Sequence, residues 1–187
     1  MSDATEELKD FLARGLRLED QGSYEEALMV YQEAHERLPD EAAPVHRMGV
    51  MYIRLDRRDD ARGAFEQALI LQHEYAPALT NLGNMALEAG DVDQAVQWYK
   101  RAIASQPEYP GAHHNLGVAY RRQGRLADAV AEHRAATRHE RRFNAEMDRL
   151  RLRGSKSNSI ASGCLGRSAG LLLIVSAGAF ALSRLHV

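Results

Sequence analysis

Cysteine and targeting signals are nearly absent from this chain. Its 187 residues include a single cysteine, Cys164, so no intramolecular disulfide can form and a disulfide-stapled secreted domain is excluded. Residues 1–7 are acidic and lack the basic and then apolar order of a secretory signal. We therefore expect most of the chain to occupy a reducing cytosol.

Catalytic and metal-binding patterns are also missing. The sequence has no phosphate-binding glycine loop, no nucleophile elbow and no zinc-protease helix. It has eight histidines, but no two of them have the i,i+4 spacing that places two imidazoles on one helix face. We predict that the protein is not an enzyme and has no catalytic residue, cofactor or metal ligand. A metal site assembled from distant parts of the chain remains the alternative.

Aromatic residues are scarce in the basic part of the chain. Residues 110–153 carry 10 basic and 5 acidic residues, whereas residues 1–45 carry 4 basic and 12 acidic residues. Specific RNA recognition usually combines cations with aromatic stacking, yet only Phe143 and Phe180 follow Tyr120. We predict no nucleic-acid partner. The charge difference is typical of solvated helix faces and would also orient a charged protein partner.

A period of 34 residues organises most of the sequence. A shift of 34 aligns residues 8–41, 42–75, 76–109 and 110–143, called repeats 1 to 4, without an insertion. The eighth place of each repeat is glycine and the twentieth is alanine: Gly15, Gly49, Gly83 and Gly117; Ala27, Ala61, Ala95 and Ala129. The twenty-fourth place is large and the twenty-seventh is alanine: Tyr31, Phe65, Tyr99 and His133; Ala34, Ala68, Ala102 and Ala136.

The spacing predicts two helices in each repeat, here called A and B. The fifteenth place is Gly22, Asp56, Gly90 or Gly124, and glycine there favours the left-handed turn that ends a helix. The small residues let helices A and B approach closely, and the large residue fills the wedge between them. Stacked repeats then bury apolar faces that one repeat alone would expose.

The repeats resemble the tetratricopeptide family. The resemblance covers residues 8–143 and rests on Asn81-Leu82-Gly83-Asn84, Gly90-Asp91, Ala95, Tyr99-Lys100-Arg101-Ala102 and Pro107, followed by Asn115-Leu116-Gly117, Tyr120, Gly124, Ala129 and Ala136. Arg14 at an apolar place and His133 at an aromatic place depart from the family pattern. These departures favour a looser first repeat and a last repeat that faces solvent or a capping helix.

The resemblance implies an all-α fold, a right-handed α-solenoid of about four helix-turn-helix repeats. It further implies that the A helices line a concave groove for an extended or helical peptide of another protein. The groove residues it implies are Leu12, Leu16, His46, Val50, Ile53, Arg54, Thr80, Asn84, Leu87, His114, Asn115, Val118, Arg121 and Arg122, together with the acidic Glu19, Asp20 and Glu88.

Some tetratricopeptide proteins hold a C-terminal carboxylate with a set of Lys, Asn and Arg side chains. The register of this chain supplies Asn84, Asn115 and Arg149, but Thr80 and Ala145 stand where the two lysines belong. The resemblance therefore favours a plain scaffold over a carboxylate clamp.

The period is lost after residue 143. Residues 144–153 are predicted to form a charged capping helix, and residues 154–167 a flexible linker. Residues 168–183 carry no charge, and we predict a transmembrane tail there, although a helix of this length reaches only about 24 Å of a roughly 30 Å hydrocarbon core. The alternatives are a tail folded on the repeats or on a partner, and a disordered apolar tail.

The flanking charges predict the orientation of such a tail. Five basic residues from Arg149 to Arg167 precede the apolar stretch and only Arg184 follows it, so the positive-inside rule places the repeats in the cytoplasm. The leading hypothesis is a single-pass membrane scaffold that binds another protein. The alternative is a cytoplasmic co-chaperone-like or regulatory adaptor whose tail docks on its own groove or on a partner.

Overall fold

The computed structural model describes the backbone of residues 3–161 and the side chains of residues 4–142, 144 and 145. This part of the chain is all-helical, with eight helices and no strand: α1 Asp3–Asp20, α2 Tyr24–Arg37, α3 Ala42–Arg54, α4 Arg58–Leu71, α5 Ala76–Glu88, α6 Val92–Ser105, α7 Pro110–Arg122 and α8 Leu126–Ala161. Within the described residues, the part up to Ala145 forms one compact unit, and residues 146–161 belong to a second.

The same turn joins helices A and B in all four repeats. Gly22, Gly90 and Gly124 have φ of +77°, +88° and +75°, and Asp56 has φ of +56° at the same place. The amide of the following residue donates to a carbonyl five residues earlier, as from Arg57 to Tyr52 at 2.8 Å, so carbonyls at the end of helix A are satisfied. The left-handed turn predicted at the fifteenth place is confirmed.

The aromatic ring at the twenty-fourth place lies directly against the glycine at the eighth. A Cβ atom added to Gly83 would lie 2.5 Å from Cε1 of Tyr99, and added Cβ atoms at Gly15 and Gly49 would overlap Tyr31 and Phe65. In repeat 4 an added Cβ on Gly117 would be 3.2 Å from the His133 ring. The prediction that small residues let the two helices nest is confirmed.

Neighbouring repeats pack through the B helix of one and the A helix of the next. Ala64, Phe65 and Ala68 of α4 share a core cluster with Leu82 and Met85 of α5. The alanines at the twentieth and twenty-seventh places are buried throughout. Each repeat therefore buries an apolar face against its neighbour, as stacked repeats require.

The N-terminal end of the repeats carries charged residues at the places where inner repeats are apolar. Asp10, Arg14 and Arg17 occupy the places of the buried Ala78, Leu82 and Met85. Arg14 forms ion pairs with Asp10 and Glu33 at 4.0 and 3.9 Å. Arg14 thus belongs to a polar end face and is linked to α2 through Glu33.

Helix α8 continues past the repeats. Residues 144–153, predicted to continue as a charged capping helix, belong to α8, and so do residues 154–161, where a flexible linker is predicted. Glycine, serine and asparagine each weaken a helix by only about 1 kcal/mol or less, so this composition is compatible with a helix.

No helix among residues 3–161 is long and apolar enough to cross a membrane. The apolar residues 168–183 and the second half of the predicted linker lie outside the described residues.

Candidate peptide-binding surface

The predicted groove residues lie on the four A helices, α1, α3, α5 and α7. Their side chains differ in exposure. The exposed ones are Leu16, Ile53, Arg54, His114, Arg121 and Arg122. The half-buried ones are Leu12, Val50, Asn84, Asn115 and Val118. The buried ones are His46, Thr80 and Leu87. We call the first two groups the A-helix surface.

The three buried residues are held by contacts within the protein. The His46 ring lies 5.7 Å from the Phe65 ring and 5.4 Å from the Tyr75 ring. Thr80 donates its hydroxyl to the Ala76 carbonyl at 2.8 Å. These side chains support the A-helix surface from beneath.

The environment of His46 fixes its protonation state. Burial, assisted by the nearby Arg47 cation, lowers the pKa of His46 to about 3, because desolvation disfavours the imidazolium. The Asn81 amide nitrogen lies 2.9 Å from His46 Nε2. A neutral ring with its proton on Nδ1 accepts a hydrogen bond from Asn81 at that distance.

Asn84 connects three helices. Its side-chain oxygen accepts hydrogen bonds from the Tyr99 hydroxyl at 2.8 Å and from the Asn115 amide at 2.7 Å. Its amide nitrogen lies 3.4 Å from the Asn81 oxygen. With the His46 contact, these bonds form a chain of side chains from α3 through α5 to α7, which we call the amide ladder: His46, Asn81, Asn84 and Asn115.

The acidic end of the surface is also tied to a neighbouring helix. Glu19 accepts a hydrogen bond from the Tyr31 hydroxyl at 2.6 Å and pairs with Arg47 at 3.5 Å. Burial and the Glu19 carboxylate raise the pKa of Tyr31 well above its usual range. Glu19 is therefore positioned rather than free.

The basic end of the surface is only partly engaged. Arg122 donates to the Leu87 carbonyl at 2.7 Å, near the end of α5. The helix dipole also stabilises a cation at this position. Within the described residues, the side chains of Arg54 and Arg121 form no ion pair or hydrogen bond. His114 has a lowered pKa, caused by burial and by the neighbouring His133 and Arg121.

Two residues of this network were missed by the sequence prediction. Arg47 and Asn81 occupy the sixth place, as Asn115 does in repeat 4. A polar residue at this place in three successive repeats was the available signal. The sequence did not predict the contacts of those side chains, because the contacts depend on the distance between neighbouring A helices.

The structure also bears on the two alternative sites, a metal site and a carboxylate clamp. Within residues 3–161, no three His, Cys, Asp or Glu side chains are close enough to hold a metal ion. Thr80, at a lysine place of the carboxylate clamp, is buried and bonded to its own helix. The side chain of Arg149 lies outside the described residues.

Two family models match the chain. The model described as TPR repeat matches residues 83–124, and the model described as Tetratricopeptide repeat matches residues 113–146. The chain therefore contains tetratricopeptide repeats, as its consensus residues predicted.

A curated human protein shares part of the sequence. Protein O-mannosyl-transferase TMTC2 from Homo sapiens is 33% identical over 79 residues, which are 41% of this chain and 9% of the human protein. The matched segment thus spans less than a tenth of that relative.

Solved structures share the fold at low sequence identity. A crystal structure of MamA has a TM-score of 0.59 at 23% identity and covers 74% of this chain and 81% of its own. The Pseudomonas aeruginosa pilF structure has a TM-score of 0.66 at 22% identity, covering 75% and 64%. The first TPR of Spaghetti (RPAP3), bound to the HSP90 peptide SRMEEVD, has a TM-score of 0.55 at 20% identity, covering 63% and 93%. The likeness shows the fold, an all-helical solenoid of tetratricopeptide type.

Proposed function

We propose that this protein is a non-enzymatic scaffold that binds a peptide segment of another protein on its A-helix surface. The A-helix surface carries the proposal, because the amide ladder holds Asn84 and Asn115 there. Their remaining amide hydrogens and the Asn115 oxygen, which make no bond within the ladder, can meet the donors and acceptors of an extended peptide backbone. Leu16 on α1 and Ile53 on α3 are 37% and 38% exposed, and they provide apolar contacts for the side chains of that peptide.

The repeat fold supports this proposal. Tetratricopeptide proteins act as protein-interaction scaffolds, and the RPAP3 structure is of a repeat domain bound to a peptide. The human relative is named a transferase, but the shared segment is only 9% of its length. We propose that the likeness concerns the repeats and not transferase activity.

A pair of isoleucines provides a direct test. A photo-crosslinking residue at Ile53, on the A-helix surface, should capture a partner that the same residue at Ile70 on α4 does not. Ile70 is 82% exposed, so the control position is accessible. Identical products from both positions would contradict the proposal.

The captured partner then permits a quantitative test with purified full chain. A peptide from the crosslinked segment should bind, and Ile53→Glu should weaken that binding about tenfold or more by burying a charge at the contact. Ile70→Glu should leave the affinity unchanged. Equal effects of the two substitutions would place the peptide elsewhere.

We propose further that residues 168–183 tether the repeats to the cytoplasmic side of a membrane. The support is the uncharged sequence flanked by Arg167 and Arg184 and the basic residues that precede it. Carbonate-washed membranes should retain the full chain and release a chain that ends at residue 161. Release of both chains would favour the cytoplasmic adaptor instead.

A further inference from the structure

The last B helix has an open face where the inner repeats have a contact. Val130, His133 and Thr137 of α8 occupy the places that Val96, Tyr99 and Ile103 occupy in α6. In α6 those residues pack in one cluster with Leu116 and Ala119 of the next A helix. No further A helix follows α8 within the described residues, and Val130 is 49% exposed.

The open face is a depression with a strongly basic border. It has a volume of about 690 Å³, and its lining includes Val130, Thr137, Arg134, Arg138 and Arg141, with no carboxylate among the lining residues that the structure describes. We call it the terminal face. Within the described residues, none of these three arginines forms an ion pair or a hydrogen bond.

Two neighbouring arginines of the same repeat are paired. The adjacent Arg142 pairs with Glu108 at 2.6 Å, and Arg125 earlier in the same repeat pairs with Asp128 at 2.5 Å. Unpaired cations that border an apolar strip complement a ligand with carboxylates beside apolar side chains. The inner repeats show that a helix is the element that fits against such a strip.

Two occupants from the chain itself fit poorly. A second copy stacked end to end would present Asp10 and Glu33, but Arg14 already pairs with both. The exposed Arg17 beside them would repel the arginines of the terminal face. Residues 162–187 contain no acidic side chain, so they offer no partner to three guanidinium groups.

We propose that the terminal face binds an acidic amphipathic helix from another protein. Apolar residues of that helix, three or four apart, contact Val130 and Thr137. Its flanking carboxylates pair with Arg134, Arg138 and Arg141. This surface is separate from the A-helix surface, so the protein would hold two partner segments at once.

A synthetic helix provides the probe. The peptide has leucines along one face and glutamates beside them, over about four helical turns, and carries a fluorescent label. A scrambled peptide of the same composition is its control. Fluorescence anisotropy with the full chain should show binding of the amphipathic peptide, and its affinity should fall as salt is raised. Equal binding of the scrambled peptide would mean that binding depends on charge alone and needs no amphipathic helix. That result would overturn the proposal.

Matched substitutions locate the site. The double variant Arg138→Glu and Arg141→Glu should weaken binding about tenfold or more. The variant Arg17→Glu and Arg62→Glu has the same change in net charge on exposed positions elsewhere and should bind like the unmodified chain. Ile53→Glu, which tests the A-helix surface, should also have no effect. Equal losses in both double variants would refute a site on α8.

A thiol-labelling measurement distinguishes the chain's own residues as occupant. In the full chain carrying Val130→Cys and Cys164→Ser, a maleimide should react quickly with the new thiol, and the amphipathic peptide should slow that reaction. Slow labelling before any peptide is added would mean that the protein itself covers the terminal face, and would overturn the proposal.

Discussion

At the scale of single residues, the recurring pair of glycine and aromatic ring determines how closely helices A and B approach. The Tyr99 and Phe65 rings are 0% and 1% exposed and lie where a side chain on Gly83 or Gly49 would be. Because these rings are enclosed, they cannot move aside to admit a methyl group. The glycine is therefore needed for contact and not for backbone conformation.

This contact predicts opposite effects for two glycine substitutions. Gly83→Ala should lower the free energy of unfolding by about 1–3 kcal/mol, because the new Cβ overlaps Tyr99. Gly63→Ala, in α4 with no atom within 4 Å of the added Cβ, should raise it by about 0.5–1 kcal/mol through helix propensity. Urea denaturation of both variants measures the two changes. A Gly83→Ala protein at least as stable as the original would contradict the packing argument.

The buried His46 predicts a pH dependence of stability. Its pKa is about 3 in the folded chain and 6.5 in the unfolded chain, so between these values the unfolded chain binds a proton that the folded chain does not. The stability that the neutral His46 ring contributes is therefore present above pH 6.5. It is lost progressively as the pH falls below that value. From pH 6.5 to pH 5 the loss from this residue is about 1.5 kcal/mol.

Denaturation at these two pH values tests that assignment. His46→Gln should lose about 1.5 kcal/mol less stability than the original chain over this interval. His73→Gln replaces an exposed histidine and should retain the full loss. Equal pH dependence in all three proteins would mean that His46 does not stay neutral when the protein is folded.

At the scale of elements, the A helices differ by their position in the stack. The third, seventh and tenth places face the preceding B helix and are Ala78, Leu82 and Met85 in α5, all buried. The same places in α1 are charged, and no repeat precedes α1 within the described residues. A polar outer face of this kind is what keeps a repeat array from extending at that end.

The effect of a substitution at the seventh place on stability should therefore depend on which repeat carries it. Leu82→Arg should cost about 3 kcal/mol or more, because it buries a charge between α4 and α5. Arg14→Leu should change the free energy of unfolding by less than about 1 kcal/mol, and should promote association that depends on concentration. Denaturation and light scattering measure these outcomes. A large loss of stability in Arg14→Leu would show that α1 depends on this arginine.

At the scale of the whole molecule, the main contacts of each repeat within residues 3–145 are with its sequence neighbours. Ion pairs also join neighbours, as in Arg58 with Glu88 at 2.7 Å and Arg142 with Glu108 at 2.6 Å. The first repeat has a neighbour on one side only. Stability in such an array is approximately the sum of repeat terms and nearest-neighbour terms.

Hydrogen exchange should report this arrangement. Amides of α3 to α6 should exchange more slowly than those of α1 and α2, because the inner repeats have neighbours on both sides. Gly15→Ala should accelerate exchange mainly in α1 and α2, whereas Gly83→Ala should accelerate it through all four repeats. Uniform acceleration by Gly15→Ala would indicate one cooperative unit in place of coupled repeats.

The repeat, the helices and the core of this protein follow from its sequence. Four glycines and eight alanines recur at the same three places, and the structure places them at the predicted helix contacts. Local physics is sufficient here, because the turn conformation and the size of a contact residue depend on the residue and its place in the period. Fourteen groove residues came from family resemblance and stay predictions.

Tertiary structure alone decided what those surface residues touch. Asn84 accepts hydrogen bonds from residues 15 and 31 positions away, and burial of His46 against Phe65 and Tyr75 keeps the imidazole neutral. These outcomes depend on the spacing between stacked repeats, which no single repeat encodes. The open terminal face on α8 likewise follows from the neighbour it lacks within the described chain, because the same helical places are covered in repeat 3 and uncovered in repeat 4.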